Sequence, residues 1–587
     1  MFPFEYPFNP DASQETLCVV SSECFNDKLQ EEVIGSLFFP FLVALVVTVV
    51  LTPPLMKAAE KAGLLDNPDD KREERTVHTD AIPRVGGLAL TAAIVLAIAI
   101  WLPVDQKMVG ILVGSGVTLL FGVWDDRVSL NYKTKFLGQI LASLCVAGIG
   151  GVMIEHLPFL DNITLSFAAA LPLTVFVLVA VTNAINLADG LDGLSGGKTL
   201  LIFGCLAVLS YQSGDFQLAM VNVIFMGGIL GFLRFNTHPA RVFLGDAGSQ
   251  MLGINAAALA IVLTQHSNSA LSPVLPLLLF ALPIFDTASV MVQRIYHGRS
   301  PFSPDKNHFH HKLLSMGFNH HEAVMIVYLM QSILVVSAYF LRYESDVLLL
   351  SLFFLVCFGL AGTLYWASRQ EWRIASGTTH LVRGIFRLAQ QRRLLRGAQG
   401  LSAAFLPLLL FVAVTLPYRI SFDFVVVALF LLAATFGASG FGPAFQTSVK
   451  RICVYISGAF AVYFYETSSF QSEDFDLLLN AIFFLLVLAV MVGIRFSKEN
   501  RFSVTTLDFL VVFLCFIVPL VSTFVTENSI PLAELSAKLV VFMYASELVM
   551  SSGSFQFRGL VVCSACALAV ICVRWVLQTY FFVFWEM

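Results

Sequence analysis

The sequence predicts an all-α integral membrane protein, a polytopic bundle of about 11 transmembrane helices followed by about 7 more. Three observations carry this expectation. Of the 587 residues, 57% are hydrophobic and 13% charged, and the mean hydropathy is +0.80. The apolar residues form continuous runs of roughly 17–25, the length an α-helix needs to cross a bilayer core. The runs do not alternate, which excludes a transmembrane β-barrel. The third observation is the distribution of Lys and Arg.

The first group of helices is expected at 35–56, 85–103, 107–124, 134–155, 165–185, 197–213, 218–236, 245–265, 270–293, 323–342 and 346–366. A basic stretch follows at 367–400, in which 383–396 reads as an interfacial amphipathic helix. Further helices are expected at 401–417, 423–440, 452–466, 475–494, 507–524, 534–551 and 558–580. With the N-terminus outside, 29 of the 35 Lys and Arg residues fall on the cytoplasmic side, as the positive-inside bias demands. The chain thus divides into an extracytoplasmic segment 1–34, a core 35–366, a basic cytoplasmic linker 367–400 and a motif-poor membrane region 401–587. A net charge of −5 and a pI near 6.1 give no sign of a nucleic-acid partner.

The chemistry gathers at the cytoplasmic ends of these helices. After the apolar run 171–181 comes Asn183-Ala-Ile-Asn-Leu-Ala-Asp-Gly-Leu-Asp-Gly-Leu-Ser-Gly-Gly197. Each carboxylate costs roughly 2.5–3.5 kcal/mol near a bilayer centre, so Asp189 and Asp192 need a cation, a polar ligand or water. Four other polar clusters share that face: His78 to Gly87, Asp125-Asp126-Arg127, Arg241 to Ser249, and Asp286 with the loop Ser300 to His311. Each alone has a plain reading, whether helix capping, a turn, a structural hydrogen bond or a solvated loop. Together they set aspartates from several helix ends among basic and histidine-bearing loops. Carboxylates suit Mg²⁺, which often bridges substrate phosphates. Lys, Arg and His give charge-assisted hydrogen bonds to phosphate oxygens. Phosphate-group transfer between a soluble nucleotide donor and a lipid acceptor fits a site at the membrane edge. The stretch Gly193 to Thr199 mimics the end of a P-loop, but Asp192 stands where the first glycine belongs and no strand precedes it. A secondary transporter, the competing class, expects its acids near the bilayer midplane at a repeat interface, not at helix ends on one side.

On Pro83-Arg-Val-Gly-Gly87, Asp125-Asp126-Arg127, Asn183 to Leu194, Gly245-Asp-Ala-Gly-Ser249 and Ser300 to His311, the chain resembles the polyprenyl-phosphate N-acetylhexosamine-1-phosphate transferases of the WecA–MraY type. The resemblance covers roughly residues 35–366. It implies transfer of N-acetylhexosamine 1-phosphate from a UDP-sugar to undecaprenyl phosphate, with release of UMP, in the bacterial cytoplasmic membrane. It implies Mg²⁺, with Mn²⁺ as an alternative, near Asp246 and the Asp189/Asp192 pair. Asp125 is assigned to deprotonating or orienting the acceptor phosphate, and Asp126 to supporting that site. Arg84, Asn183, Asn186 and Asp192 are assigned to substrate, the last three to nucleotide or diphosphate. Arg299, Lys306, His308, His310 and His311 are assigned to donor diphosphate or sugar, and Lys133 and Lys135 to the lipid phosphate. His308-x-His-His311 matches the WecA-like branch, which makes GlcNAc the first choice of sugar, with other UDP-N-acetylhexosamines, including 6-deoxy forms, open. A phosphate monoester has its second pKa near ~6, so direct attack is preferred over an aspartyl intermediate. The family also admits a homodimer.

Overall fold

The computed structural model describes residues 22–66, 81–159, 163–300, 307–370, 392–416, 420–438, 443–467, 473–496, 532–552 and 554–585. It is an all-α membrane bundle, as expected. The helices are α1 Ser22–Ala62, α2 Gly86–Trp101, α3 Gln106–Val128, α4 Tyr132–Leu144, α5 Phe167–Leu187, α6 Leu194–Gln212, α7 Phe216–Asn236 and α8 Gly245–Ile261. They continue as α9 Leu275–Leu279, α10 Ala281–Tyr296, α11 Phe309–Ser315, α12 His320–Phe340 and α13 Asp346–Arg369. The C-terminal region adds α14 Arg392–Thr415, α15 Phe422–Gly437, α16 Pro443–Thr467, α17 Glu473–Phe496, α18 Leu532–Ser552 and α19 Ser554–Trp585. A two-residue antiparallel pair, β1 Leu65–Asp66 with β2 Ile82–Pro83, is the one sheet among the described residues.

Side chains set the helix starts. Asp105 accepts from the Met108 N–H at 2.8 Å to open α3. Asn131 accepts from the Thr134 N–H at 2.9 Å to open α4, and Asp215 from the Leu218 N–H at 2.9 Å to open α7. Asn319 and Glu322 form a capping box on α12. Within the spans, Thr48, Thr91, Ser115, Thr118 and Thr182 donate their hydroxyls to the carbonyl four residues back. That satisfies them without water, as hydrocarbon requires. Large apolar residues left on the outside, such as Leu120, Phe176 and Val292, form a lipid-facing surface.

Several expectations shift. Ten described helices are long and apolar enough to cross a membrane, with three shorter apolar ones, against eighteen expected. Others carry charge into the bundle, such as α18 with Lys538 and Glu547. The helix expected at 270–293 is broken at Phe280 into α9 and α10. The ring of Pro283 would clash with the Leu279 carbonyl in a continuous helix, whereas in the first turn of α10 its missing N–H costs nothing. Helix α1 begins at Ser22, not near 35, and the linker 367–400 is narrower, since α13 runs to Arg369 and α14 starts at Arg392. The interfacial helix at 383–396 lies mostly outside the described residues, and the helix at 507–524 wholly so.

The continuation of α8 through Ser267 gives the one candidate span that is wholly buried. Small residues let its neighbours close in. A Cβ on Gly122 of α3 would lie 2.3 Å from the Ala247 Cα, and one on Gly87 of α2 would lie 2.4 Å from the Gly248 N. The C-terminal region has its own apolar core, built on residues such as Leu406, Val454, Leu486 and Phe542. It joins the first bundle where Phe424 of α15 meets Phe39 of α1 edge-to-face, centroids 4.7 Å apart, inside one continuous cluster with Phe460 and Phe464. Between α16 and α18 it buries an ion pair, Lys538 Nζ to Glu466 Oε1 at 2.6 Å.

Gly122→Val is expected to lower the thermal unfolding midpoint in detergent, at a cost of ~1–3 kcal/mol from overpacking α3 against α8; an unchanged midpoint would show that the helices separate freely there. A chain ending at residue 391 is expected to unfold at lower temperature than the full chain, because Phe39 loses its aromatic partners. Equal midpoints would make the two regions independent.

Candidate active site

The first four N–H groups of an α-helix have no partner within it. At α8 two of them are taken by a side chain from another helix: Asp126 Oδ1 accepts from the Asp246 N–H at 2.9 Å, and Oδ2 from the Ala247 N–H at 3.2 Å. Gly245 makes the approach possible. Its φ is +73°, and a Cβ there would fall 2.5 Å from the Asp126 Oδ2. With Asp126 committed to capping α8, the adjacent Asp125 faces another way. Its Oδ1 accepts from the Leu130 N–H at 2.7 Å, and its Oδ2 meets the Lys135 ammonium. Lys135, one turn into α4, also pairs with Asp246 Oδ2 at 2.8 Å. Asp125 and Asp246 are therefore held together by one cation.

Motifs distant in sequence are joined along the backbone. The Gly86 and Gly87 N–H groups, orphan donors at the start of α2, donate to the Phe243 and Leu244 carbonyls at 2.9 Å each. The Phe243 N–H returns a bond to the Pro83 carbonyl at 2.8 Å. Arg84 pairs with Asp66 across the hairpin at 2.9 Å, and its charge also acts on Asp126 and Asp246.

The turn between α5 and α6 forms the next wall. Asn183 is half-buried on the last turns of α5, and Asn186 Oδ1 accepts from the Ser249 hydroxyl at 2.6 Å. Burial pushes the Asp189 carboxyl up to about 7; Lys198 opposes this, while Asp246 and Asp192 add to it. Lys198 is 5% exposed, donates to the Ala188 carbonyl at 3.1 Å and feels both Asp189 and Asp286. Asp192 is engaged from outside: its Oδ2 lies 2.7 Å from His238 Nδ1 and accepts from the Ala240 N–H at 3.1 Å. Gly193 follows in the left-handed region at φ +80°. Its N–H donates to Asn236 Oδ1 at 2.9 Å, and its carbonyl accepts from the buried Tyr328 hydroxyl at 2.6 Å.

The histidine motif closes the other side. Asp286 of α10 accepts from the Phe309 N–H at 2.7 Å and lies 3.2 Å from His308 Nδ1. It fixes the start of α11 as well as the first ring. His308 and His310 stack at 5.8 Å, and His310 and His311 meet at 4.3 Å. Burial holds the His310 imidazole down near 3, with Asp286 opposing, so the ring is neutral at physiological pH. Its buried Nε2 has no hydrogen-bond partner among the described residues and lies against the turn, where a Cβ on Gly190 would fall 2.1 Å away.

Asp125, Asp126, Asp246, Lys135, Asp189 and Arg84 thus come together, with Asn186 joined through Ser249. His310 meets the Asp189–Asp192 turn, and His308 and His311 stack beside it. Lys133 and Arg299 are exposed at the rim, and Lys306 lies outside the described residues. Sequence reasoning missed Lys198, His238 and His320. The Lys198 signal was present in the rejected P-loop stretch, where a lysine one turn into an apolar helix needs acidic neighbours. His238 sits alone in its segment and gave no signal, and the pair His320-His321 at the start of α12 was passed over.

The donor set fits a hard dication. Asp189 and Asp246 offer oxygen ligands alone, the chemistry Mg²⁺ prefers, and the Lys135 ammonium already holds Asp246 beside Asp125.

The glycosyl transferase family 4 model matches residues 108–264. The "Probable undecaprenyl-phosphate N-acetylglucosaminyl 1-phosphate transferase" of Bacillus subtilis is 34% identical over 315 residues, covering 53% of this chain and 86% of that protein. The decaprenyl-phosphate N-acetylglucosaminephosphotransferase of Mycobacterium tuberculosis H37Rv is 34% identical over 319 residues, 49% of this chain and 78% of that protein. The undecaprenyl-phosphate alpha-N-acetylglucosaminyl 1-phosphate transferase of Escherichia coli K12 is 29% identical over 334 residues, 54% of this chain and 87% of that protein. With the motifs of the sequence assembled at one end of an all-α membrane bundle and relatives matched over most of their length, the chain belongs to glycosyl transferase family 4.

Proposed function

We propose that this chain transfers GlcNAc 1-phosphate from UDP-GlcNAc to undecaprenyl phosphate, releasing UMP and starting a lipid-linked glycan in the bacterial cytoplasmic membrane. The observation that carries the reading is Lys135 bridging Asp125 and Asp246 beside the capped start of α8. Such a cluster offers cationic anchorage for phosphates and a carboxylate next to it. The active site faces the cytoplasm, where the basic loops fall and the nucleotide donor is dissolved.

In this reading an acceptor phosphate oxygen attacks the sugar-linked phosphorus of the donor. The bond from that phosphorus to the UMP oxygen breaks, and UMP leaves with its electron pair. Asp125 orients the acceptor phosphate and takes its remaining proton when it carries one. Lys135 and Lys133 draw the lipid phosphate in, and Arg84 adds positive charge at the same end. Asn183, Asn186 and the turn held through Asp192 receive the nucleotide. His308, His310, His311, Arg299 and Lys306 receive the diphosphate and sugar; His310, being neutral, serves as a hydrogen-bonding ring. Asp246 and Asp189 would hold Mg²⁺, or Mn²⁺, which would neutralise the donor diphosphate. Lys198 offsets the negative charge of Asp189 and Asp286. The described helices beyond residue 400 form a membrane module packed against the core along α1.

Purified protein incubated with undecaprenyl phosphate, Mg²⁺ and a panel of UDP-N-acetylhexosamines is expected to release UMP with UDP-GlcNAc and yield a product of the mass of a lipid diphospho-GlcNAc. Asp125→Asn and Asp246→Asn are expected to cut turnover roughly 10²- to 10³-fold without lowering the unfolding midpoint, and thorough chelation should abolish it. UMP release from no donor, with solute uptake into liposomes instead, would replace the transferase by the transporter reading. Gly190→Ala is expected to displace His310 and raise the KM for donor more than it lowers kcat; unaltered donor kinetics would remove His310 from the donor site.

A further inference from the structure

Asp192, His238 and His320 come from three separate segments: the α5–α6 turn, the stretch after α7, and the first residue of α12. Their ligand atoms all lie within 4.8 Å of one another. His238 Nδ1 faces Asp192 Oδ2 at 2.7 Å. The His238 and His320 rings stack with centroids 4.0 Å apart and planes 22° from parallel. His321 stands edge-on to His238 at 5.1 Å, and His320 Nε2 lies 3.4 Å from the Asp192 carbonyl oxygen. All three residues of the cluster are half-buried, open enough for an ion to enter.

Two imidazoles and one carboxylate differ in kind from the all-oxygen pair of Asp189 and Asp246. Neutral imidazole nitrogens bind zinc-class ions, whereas magnesium prefers oxygen and keeps its waters. We propose that Asp192, His238 and His320 form a binding site for a zinc-class divalent ion, distinct from the magnesium site, with water completing the coordination. The ion ties the α5–α6 turn to the start of α12 and to the stretch after α7. It thereby fixes the turn that carries Asp189 and leaves the all-oxygen site to the harder ion.

The test uses the full chain, freed of any histidine tag, stripped with chelator and returned to buffer with excess Mg²⁺. Zn²⁺ is then added and the protein desalted. One zinc per chain is expected to remain, with a raised unfolding midpoint. Co²⁺ in place of Zn²⁺ is expected to give the intense visible bands of a four-coordinate nitrogen–oxygen site. His238→Ala and His320→Ala should each weaken retention by at least about 10-fold, whereas Asp246→Asn should not. Loss of zinc on desalting, or retention unchanged in both histidine variants, would overturn the proposal and leave Asp192–His238 as a plain hydrogen bond. Should the variants fail to fold, the wild-type cobalt spectrum decides alone, since weak six-coordinate bands would overturn it equally.

Discussion

The site depends on one carboxylate capping a helix that belongs to another part of the chain. Asp126 supplies acceptors for two backbone N–H groups at the start of α8, 120 residues away for Asp246 and 121 for Ala247. The positive end of the α8 dipole favours negative charge there, which helps explain how several aspartates are tolerated at one helix end. The arrangement needs close approach, and the absence of side chains at Gly122 and Gly245 gives it. With α3 locked on α8, Asp125 and Asp246 are adjacent, and Lys135 of α4 completes the group.

The other walls are held by the same means, polar side chains spent on backbone groups of neighbouring segments. Asp286 secures the start of α11, and Asn236 and Tyr328 secure Gly193. Gly86 and Gly87 are zipped to the segment just before α8. Each such bond meets a backbone group that would cost ~1–3 kcal/mol if buried unpaired. They also hold Asp189 and His310 in place without spending those residues, whose polar atoms stay available for a ligand. The charge is balanced locally, with Lys135, Arg84 and Lys198 set among Asp125, Asp126, Asp189 and Asp246.

The described helices beyond residue 391 divide between a second apolar core and the first, which they join along α1. Its buried Lys538–Glu466 pair marks it as more than lipid-facing filler, because charge inside a membrane bundle is expensive unless paired. The aromatic contact of Phe39 with Phe424 makes the junction a packed interface rather than a loose tether.

The sequence by itself determined the fold class, most helix positions and the identity of the acidic motifs. Continuous apolar runs report which residues prefer hydrocarbon, which is a local property. It misjudged the stretch around Phe280, where the ring of Pro283 breaks an apolar run into two helices. It also set aside Lys198 with a false motif. Only the tertiary structure decided that Asp126 caps while Asp125 faces Lys135, although the two are neighbours of one type. Only it brought His238 and His320 to Asp192. These pairings depend on how closely helices pack, set by contacts such as Gly122 on Ala247, and no period or spacing within a single segment encodes a partner in another.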